Sequence, residues 1–444
     1  MKTFRRMGRA LVAGLPLAAV ACGGGASLQL SDVTPQSVPA LQAARAQRPD
    51  DAMTATRLGV GYFRANQLPE ARAVLDSAVQ RDPQNGIAAI YAGMTAESQG
   101  DFAAARTAYE QFVAVAKTNE LRSAARQRLA LVDRRELEFS ARQALAQEAQ
   151  LSQTPPEPNT IAVMPFGYTG VNEEVRPLSR GFAQLVVTDL ARSRQLRVLE
   201  RERMQAMLDE MRMSEQGRTD PQTAARSGKL LRAARVVQGS LTDQDNVLRA
   251  TGAVVDVNTA AVSPGADAAL PLNRLFDMEK VFVFDLFTSM GITLTDAERA
   301  AINQRPTQNL QAFLAWSRGL EAEDRGDFVG AQELYNQASR LDPSFSAAAQ
   351  SAQTVSDIQQ ASSQSVSDVD AIVAANVGQE SGGGPGDSQR DALANATDGT
   401  NPGGANTTPE TRVEPPVERK PGDATGTDIP GRPTATIRIV IPRP

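Results

Sequence analysis

A chain without histidine has only carboxylates, lysine, arginine, hydroxyls and thiols with which to do chemistry. The 444 residues here contain no histidine and one cysteine, Cys22. Nucleophile–histidine pairs, a histidine general base and His/Cys zinc sites are therefore excluded. A single thiol forms no internal disulfide. The other candidates are few. Ser227-Gly228-Lys229 lacks the upstream glycine of a phosphate-binding loop and falls inside a helical pattern. Asp243 and Asp245 could touch calcium, but they belong to a polar turn, Asp243-Gln244-Asp245-Asn246. Glu321, Glu323, Asp324 and Asp327 read as a solvated helix surface. Glu200 and Arg201 follow a strand directly and read as a helix-start charge pair, with contact to a partner as the alternative. No carboxylate pair with a motif can be located, so no catalysis, metal or cofactor is expected.

Composition supports a binding protein over an enzyme. The 46 basic and 51 acidic residues leave a formal charge of −5 with no basic stripe, so no nucleic-acid partner is expected. Lys2, Arg5, Arg6 and Arg9 precede an apolar stretch from Ala10 to Ala21, the pattern of a secretory signal peptide, too short for the ~20 apolar residues of a spanning helix. The stretch ends Leu17-Ala18-Ala19-Val20-Ala21-Cys22, which resembles a bacterial lipoprotein lipobox with Ala19 where the family most often has leucine. The resemblance implies that Cys22 carries the lipid. Gly23, in place of the aspartate that marks inner-membrane retention, implies the periplasmic side of the outer membrane. Loss of four positive charges with residues 1–21 takes the net charge from −5 to −9. An acidic chain adheres poorly to anionic lipid, so acyl chains must anchor it.

The elements behind these residues come in two kinds. From Ala52, residues Leu58-Gly59, Tyr62, Ala71, Leu75, Ala78 and Pro83 recur 34 residues later as Gly93, Gly100, Ala105 and Tyr109, and again as Gly319, Gly326, Ala331, Tyr335, Ala338 and Pro343. Glycine and alanine suit close crossing of two helices, and the proline ends the second helix. This spacing resembles the tetratricopeptide repeat. A long capping helix is expected after the second unit, over 119–151. The resemblance implies a concave groove for a protein or peptide partner, lined by Thr56, Val60, Phe63 and Arg64 and by Ile90, Met94 and Glu97. The matching Phe313, Trp316 and Leu320 of the third unit either line a groove or pack against the rest of the protein, and packing is the reading favoured here.

Between the repeats, Thr160–Phe166 and Leu196–Leu199 read as strands, Leu178–Leu190 as a helix, and Arg235–Leu241 with Val247–Val257 as a hairpin. The expected order is βαβααββα, with Asp220-Pro221 and Thr295/Glu298 as helix caps. Ile161-Ala162-Val163-Met164-Pro165-Phe166, Val187-Thr188-Asp189-Leu190, Arg197-Val198-Leu199-Glu200-Arg201 and Val236-Val237-Gln238-Gly239-Ser240 resemble the CsgG family of curli-secretion lipoproteins and the related TolB N-terminal-like fold. The family's channel inserts long hairpins into the membrane. Here Gly167–Arg176, Ser214–Thr219 and Asn258–Pro271 read as loops too short, or too rich in Pro, Gly and Asp, to span one, so no pore is expected.

From Ser381 to Thr434, 18 of 54 residues are Gly or Pro, too few apolar side chains to offset ordering entropy. Thr436–Ile441 alternates like a strand and either adds to a sheet edge or forms a sticky end. The expected plan is a multi-domain α+β protein in which tetratricopeptide hairpins flank an α/β sandwich. Its parts are a signal peptide (1–21), a linker (22–51), repeats and capping helix (52–151), a CsgG-like domain (159–300), a third repeat with helical extension (306–375), a disordered tail (376–434) and a terminal strand (435–444). An interaction scaffold in envelope assembly or secretion is the expected function. A CsgG-type channel component is one rival. A regulator of a peptidoglycan synthase is another, because penicillin-binding protein activators pair similar folds with lipid anchors.

Overall fold

The computed structural model describes residues 30–212 and 220–381. Cys22, the apolar leader, the Ser214–Thr219 segment, the Gly/Pro-rich tail and the expected terminal strand lie outside these residues. The described chain begins with two turns of 3-10 helix, Leu30–Asp32 and Pro35–Ser37, and α1 (Val38–Gln47). Residues 22–51 read as a linker, yet within it the described residues from Leu30 to Gln47 are helical over most of their length. Val33, Val38 and Leu41 are buried because Gly61, without a Cβ, lets all three close upon it.

Two helical hairpins follow, α2 (Ala52–Arg64) with α3 (Leu68–Arg81), and α4 (Gly86–Ser98) with α5 (Phe102–Val115). Asp51, Asn85 and Asp101 begin α2, α4 and α5, each accepting from a backbone N–H in the first turn. A 28-residue helix, α6 (Asn119–Ala146), and a short α7 (Glu148–Leu151) close the array.

The α/β domain contains β1 (Glu157–Val163), β2 (Gly167–Tyr168), α8 (Leu178–Leu190), β3 (Arg197–Val198), α9 (Arg201–Glu210) and α10 (Pro221–Leu231). It continues with β4 (Ala233–Gln244), β5 (Val247–Asp256), β6 (Val262–Pro271), α11 (Leu275–Ser289) and α12 (Asp296–Ile302). The sheet order is β3-β1-β4-β5-β6 with β2 beside β4. β1 runs parallel to β3 and β4, and β4, β5 and β6 form an antiparallel meander. Strand β6 corrects the expected loop at Asn258–Pro271. Pro264, Gly265 and Pro271 read as breakers, but β6 ends the sheet, where proline is tolerated, and the register shifts between Gly252 and Ala253 beside Pro264. Phe166, Phe182 and Phe282 fill the core with ring centroids 5.3–5.7 Å apart.

The last helices are α13 (Leu310–Asp324), α14 (Phe328–Leu341), α15 (Ser346–Ser363) and α16 (Val366–Ser381). The hairpin α13–α14 repeats the earlier geometry. Gly93 lies under the Tyr109 ring and Gly319 under the Tyr335 ring, where a Cβ would stand 2.7 and 2.4 Å from ring carbons. The turn between α13 and α14 uses Gly326 at φ +76°, a left-handed conformation that suits glycine. The hairpin is joined to the α/β domain through α8, where Gly181 faces Phe313 and Ser317. It is joined to the first repeats through α15, whose Ile358 and Ala361 pack on Leu131 of α6. Helix α16 continues through Ser381, beyond residue 375 where the tail was expected to begin, and Val369, Val373 and Val377 along one stripe are buried.

Helix propensity favours alanine over glycine by about 1 kcal/mol, whereas crowding a packed core costs about 1–3 kcal/mol. Gly319→Ala is therefore expected to lower the urea midpoint. A raised midpoint would show that the crossing of α13 and α14 has room for a methyl group.

Candidate functional site

The residues expected to line an open groove are covered by the protein itself. Val60, Ile90 and Met94 belong to the same buried cluster as Val369, Val373 and Val377 of α16, which lies against α4 and α6. Thr56 donates to Ala52 O at 2.8 Å and accepts from Asn85 Nδ2 at 3.0 Å, so it ties the two repeats together and is buried. Phe63 packs edge-on against Tyr91 at 5.7 Å. Arg64 forks onto Asp370 of α16 at 2.8–3.2 Å, accepts nothing, and donates also to Leu30 O, Val33 O and the Tyr91 hydroxyl. Burial alone would lower the Arg64 pKa; the Asp370 hydrogen bonds outweigh it and raise it. An acidic helix therefore sits where a peptide was expected, because Arg64 offers a planar double donor to one carboxylate.

Glu97 is buried too. It takes the Arg128 guanidinium of α6 on both oxygens, the Tyr109 hydroxyl at 2.9 Å and Arg135 at 3.0 Å. Arg128 also donates to Ala361 O and Gln364 O, both at 2.9 Å, where the chain turns from α15 into α16. One guanidinium thus fixes the second repeat, the capping helix and the approach of α16. In the third repeat, Phe313 packs on Phe276 at 5.3 Å, Trp316 Nε1 donates to Ser351 Oγ at 3.1 Å, and Leu320 is buried.

The acidic group of the third repeat is not a solvated surface, as expected from its charge density, but a docking contact. Asp324 pairs with Arg201 and, at 3.3 Å, with Arg180; Glu323 lies 3.6 Å from Arg201 and accepts from Tyr335; Glu321 pairs with Arg176 at 2.8 Å. Asp327 is exposed and caps α14. Arg201 takes the helix-start role read from the sequence and also bridges to α13. Asp243 accepts from the Tyr168 hydroxyl and from Asn172 N, beside a turn in which Asp245 and Asn246 have φ of 50° and 63°. Among the described residues no group of acidic, histidine or cysteine side chains could hold a metal ion.

A buried cluster not anticipated from the sequence lies between α8 and α11. Lys280 bridges Asp189 and Glu279, the latter at 2.9 Å, and all three are buried. Burial raises Glu279 well above the ordinary carboxylate range and Asp189 reinforces the shift; burial also raises Asp189, against the pull of Lys280. Asp189 stands in the Val187–Leu190 motif, which is the signal that marks the cluster. Sealed from solvent, it has the chemistry of a structural charge pair.

Residues 142–273 match the family model for the curli production assembly/transport component CsgG. The chain carries a CsgG-family domain. The match runs from the end of α6 through β6, so it contains the whole sheet, while α11 and α12 lie beyond it. Residues 28–86 match a tetratricopeptide-repeat model, from the segment before the first 3-10 turn to the start of α4. A search of curated proteins finds no match. Among solved structures, the crystal structure of yeast Tom70 is similar at a TM-score of 0.22 and 11% identity, over 73% of this chain and 63% of Tom70. The chain thus spans under two thirds of that protein's length, and at this score the likeness carries no argument. The CsgG-family domain and the helical repeats meet through Arg201 and Asp324.

Breaking a buried ion pair from one side costs about 3–5 kcal/mol because the other charge stays buried. Glu97→Gln is expected to lose stability on that scale in urea denaturation; a loss below about 1 kcal/mol would mean that Arg128 finds water or another partner. For Glu279, an unfolded carboxyl near pKa 4.3 releases a proton that the native protein still holds. Its contribution to stability therefore falls as pH rises from about 4.3. Glu279→Gln is expected to raise the urea midpoint at pH 8 and to leave it unchanged at pH 4; an equal effect at both would overturn this account.

Proposed function

We propose that the protein is a non-catalytic interaction scaffold of the bacterial envelope, serving assembly or secretion in the manner suggested by the CsgG-family name. The observation that carries this reading is a CsgG-family domain joined by buried charge pairs to the α13–α14 hairpin, in a chain that also matches a tetratricopeptide repeat, a repeat type that suggests protein partners. Pore formation is not part of the reading. β4 and β5 are joined by a two-residue turn, β5 and β6 by a short connection, and β6 is packed against α11. No described helix is long and apolar enough to cross a membrane, a statement that does not bear on β-barrels.

Attachment in this reading comes from acylated Cys22 on the periplasmic side of the outer membrane. It follows from the lipobox-like Leu17–Cys22 and from Gly23 after it. Several acyl chains, at about 0.8 kcal/mol per buried methylene, hold far more firmly than one. Metabolic labelling with an alkyne fatty acid, followed by membrane fractionation, tests it. The wild-type chain is expected to take label and float with outer membrane, while Cys22→Ser takes none and becomes soluble or stays unprocessed. Unchanged partitioning of the variant would overturn the anchor.

A further inference from the structure

With the repeat face occupied by α16, a partner needs another surface. A cavity of about 680 Å³ opens where α6, α9 and the end of α13 meet α15. Its floor is apolar, from Leu129 and Leu137 of α6, Ala206 of α9 and Ile358 of α15. Its walls hold nine carboxylates and four arginines. Two of the arginines are committed: Arg134 to Glu138 and the face of Phe328, and Arg201 to Asp324, Glu202 and Glu323. An excess of negative charge over a low-dielectric floor focuses field into the opening and draws cations.

Acidic residues alone make no site, but two buried acceptor atoms on Gln205 and Asp133 lack hydrogen-bond donors among the described residues. Gln205, which lines the cavity, is 7% exposed; its Nε2 donates to Asp209 at 2.7 Å and its Oε1 accepts nothing. On α6, Oδ1 of Asp133, which also lines the cavity, is likewise unpartnered. Both are acceptors awaiting a donor, and leaving them unmade is costly. Burial, with Glu136, Glu110 and Glu200 nearby, pushes the Asp133 carboxyl up to about 7 despite Arg106. On the same wall, Arg201 Nε is a buried donor without a partner, though the rest of that guanidinium is paired.

We propose that this cleft between the repeats and the CsgG-family domain binds a basic, partly apolar polypeptide segment of a partner protein, taking its lysine or arginine heads on Asp133, Glu200 and Gln205 Oε1. A single metal ion does not fit, because among the described residues no acidic side chains converge closely enough to hold one. The separated carboxylates ask for an extended polycation. The apolar floor selects a polypeptide over a free polyamine, since leucine-sized side chains alternating with the cations cover Leu129, Leu137 and Ile358. The inference deepens the scaffold reading by naming the partner's chemistry, and it is measured on purified protein, where failure of the lipid anchor has no effect.

Fluorescence anisotropy of a labelled Leu-Arg-Leu-Arg-Leu-Arg peptide with the full chain in detergent tests it. Saturable binding is expected, weakened at least tenfold by the double substitution Asp133→Asn with Glu200→Gln and within twofold of wild type for Glu70→Gln, a distant exposed control. The double variant removes crowded negative charge with little change in shape, so its fold is not at risk; an unchanged urea midpoint verifies this. No saturable binding, equal binding by the double variant, or equal binding of a Leu-Glu-Leu-Glu-Leu-Glu peptide would overturn the proposal. Spermine displacing the peptide at equal or lower concentration would assign the cleft to free polyamines and overturn the polypeptide source.

Discussion

One guanidinium holds the helical part of this protein together. Arg128 sits in the interior with all its reach used: two carboxylate oxygens of Glu97 on one side, two backbone carbonyls of the α15–α16 turn on the other. A buried arginine is tolerated only when such bonds replace its water. Replacing it with a lysine would supply charge but not the planar fork that reaches three elements at once. Because Ala361 and Gln364 are held from α6, α16 leaves the turn directed across α4, and the repeat face is closed as a consequence.

The same logic recurs at the junction with the CsgG-family domain. Arg201 opens α9 immediately after a strand, so its position is set by the sheet, and Asp324 ends α13, so its position is set by the repeat hairpin. The pair between them translates sheet geometry into repeat geometry. Fixed charges of this kind specify one arrangement more than they stabilise it, since desolvation offsets much of their attraction. Orientation is also enforced by shape, where Gly181 admits Phe313 and Ser317.

What the sequence disclosed was local. Glycine at the hairpin crossings, Asp220 before Pro221, and Thr295 with Glu298 are all decided within a few turns of chain, and they stand where the spacing put them. The misreadings share a different cause. Glu321 to Asp324 looked solvated because their partners lie more than a hundred residues upstream. Thr56, Arg64 and Glu97 looked available because the chain that covers or binds them comes from another repeat, from residue 370 or from α6. β6 looked like a loop because proline is usually a breaker, and only its place at the sheet edge makes it harmless. The α6–α9 cleft was invisible for the same reason: its acids are ordinary surface residues until four separate elements converge.

The Arg64–Asp370 contact spans 306 residues and joins nearly the first described helix to the last. Closing so long a loop costs little more entropy than closing one half its length, so the price in stability is small. The dependence it creates is larger. A chain cut short before α16 would present Val60, Ile90 and Met94 to water as a continuous apolar strip, which invites aggregation and proteolysis. The last described helix thereby makes the exposure of the first repeats depend on residues about three hundred positions downstream: the strip is covered only in a chain that extends through α16.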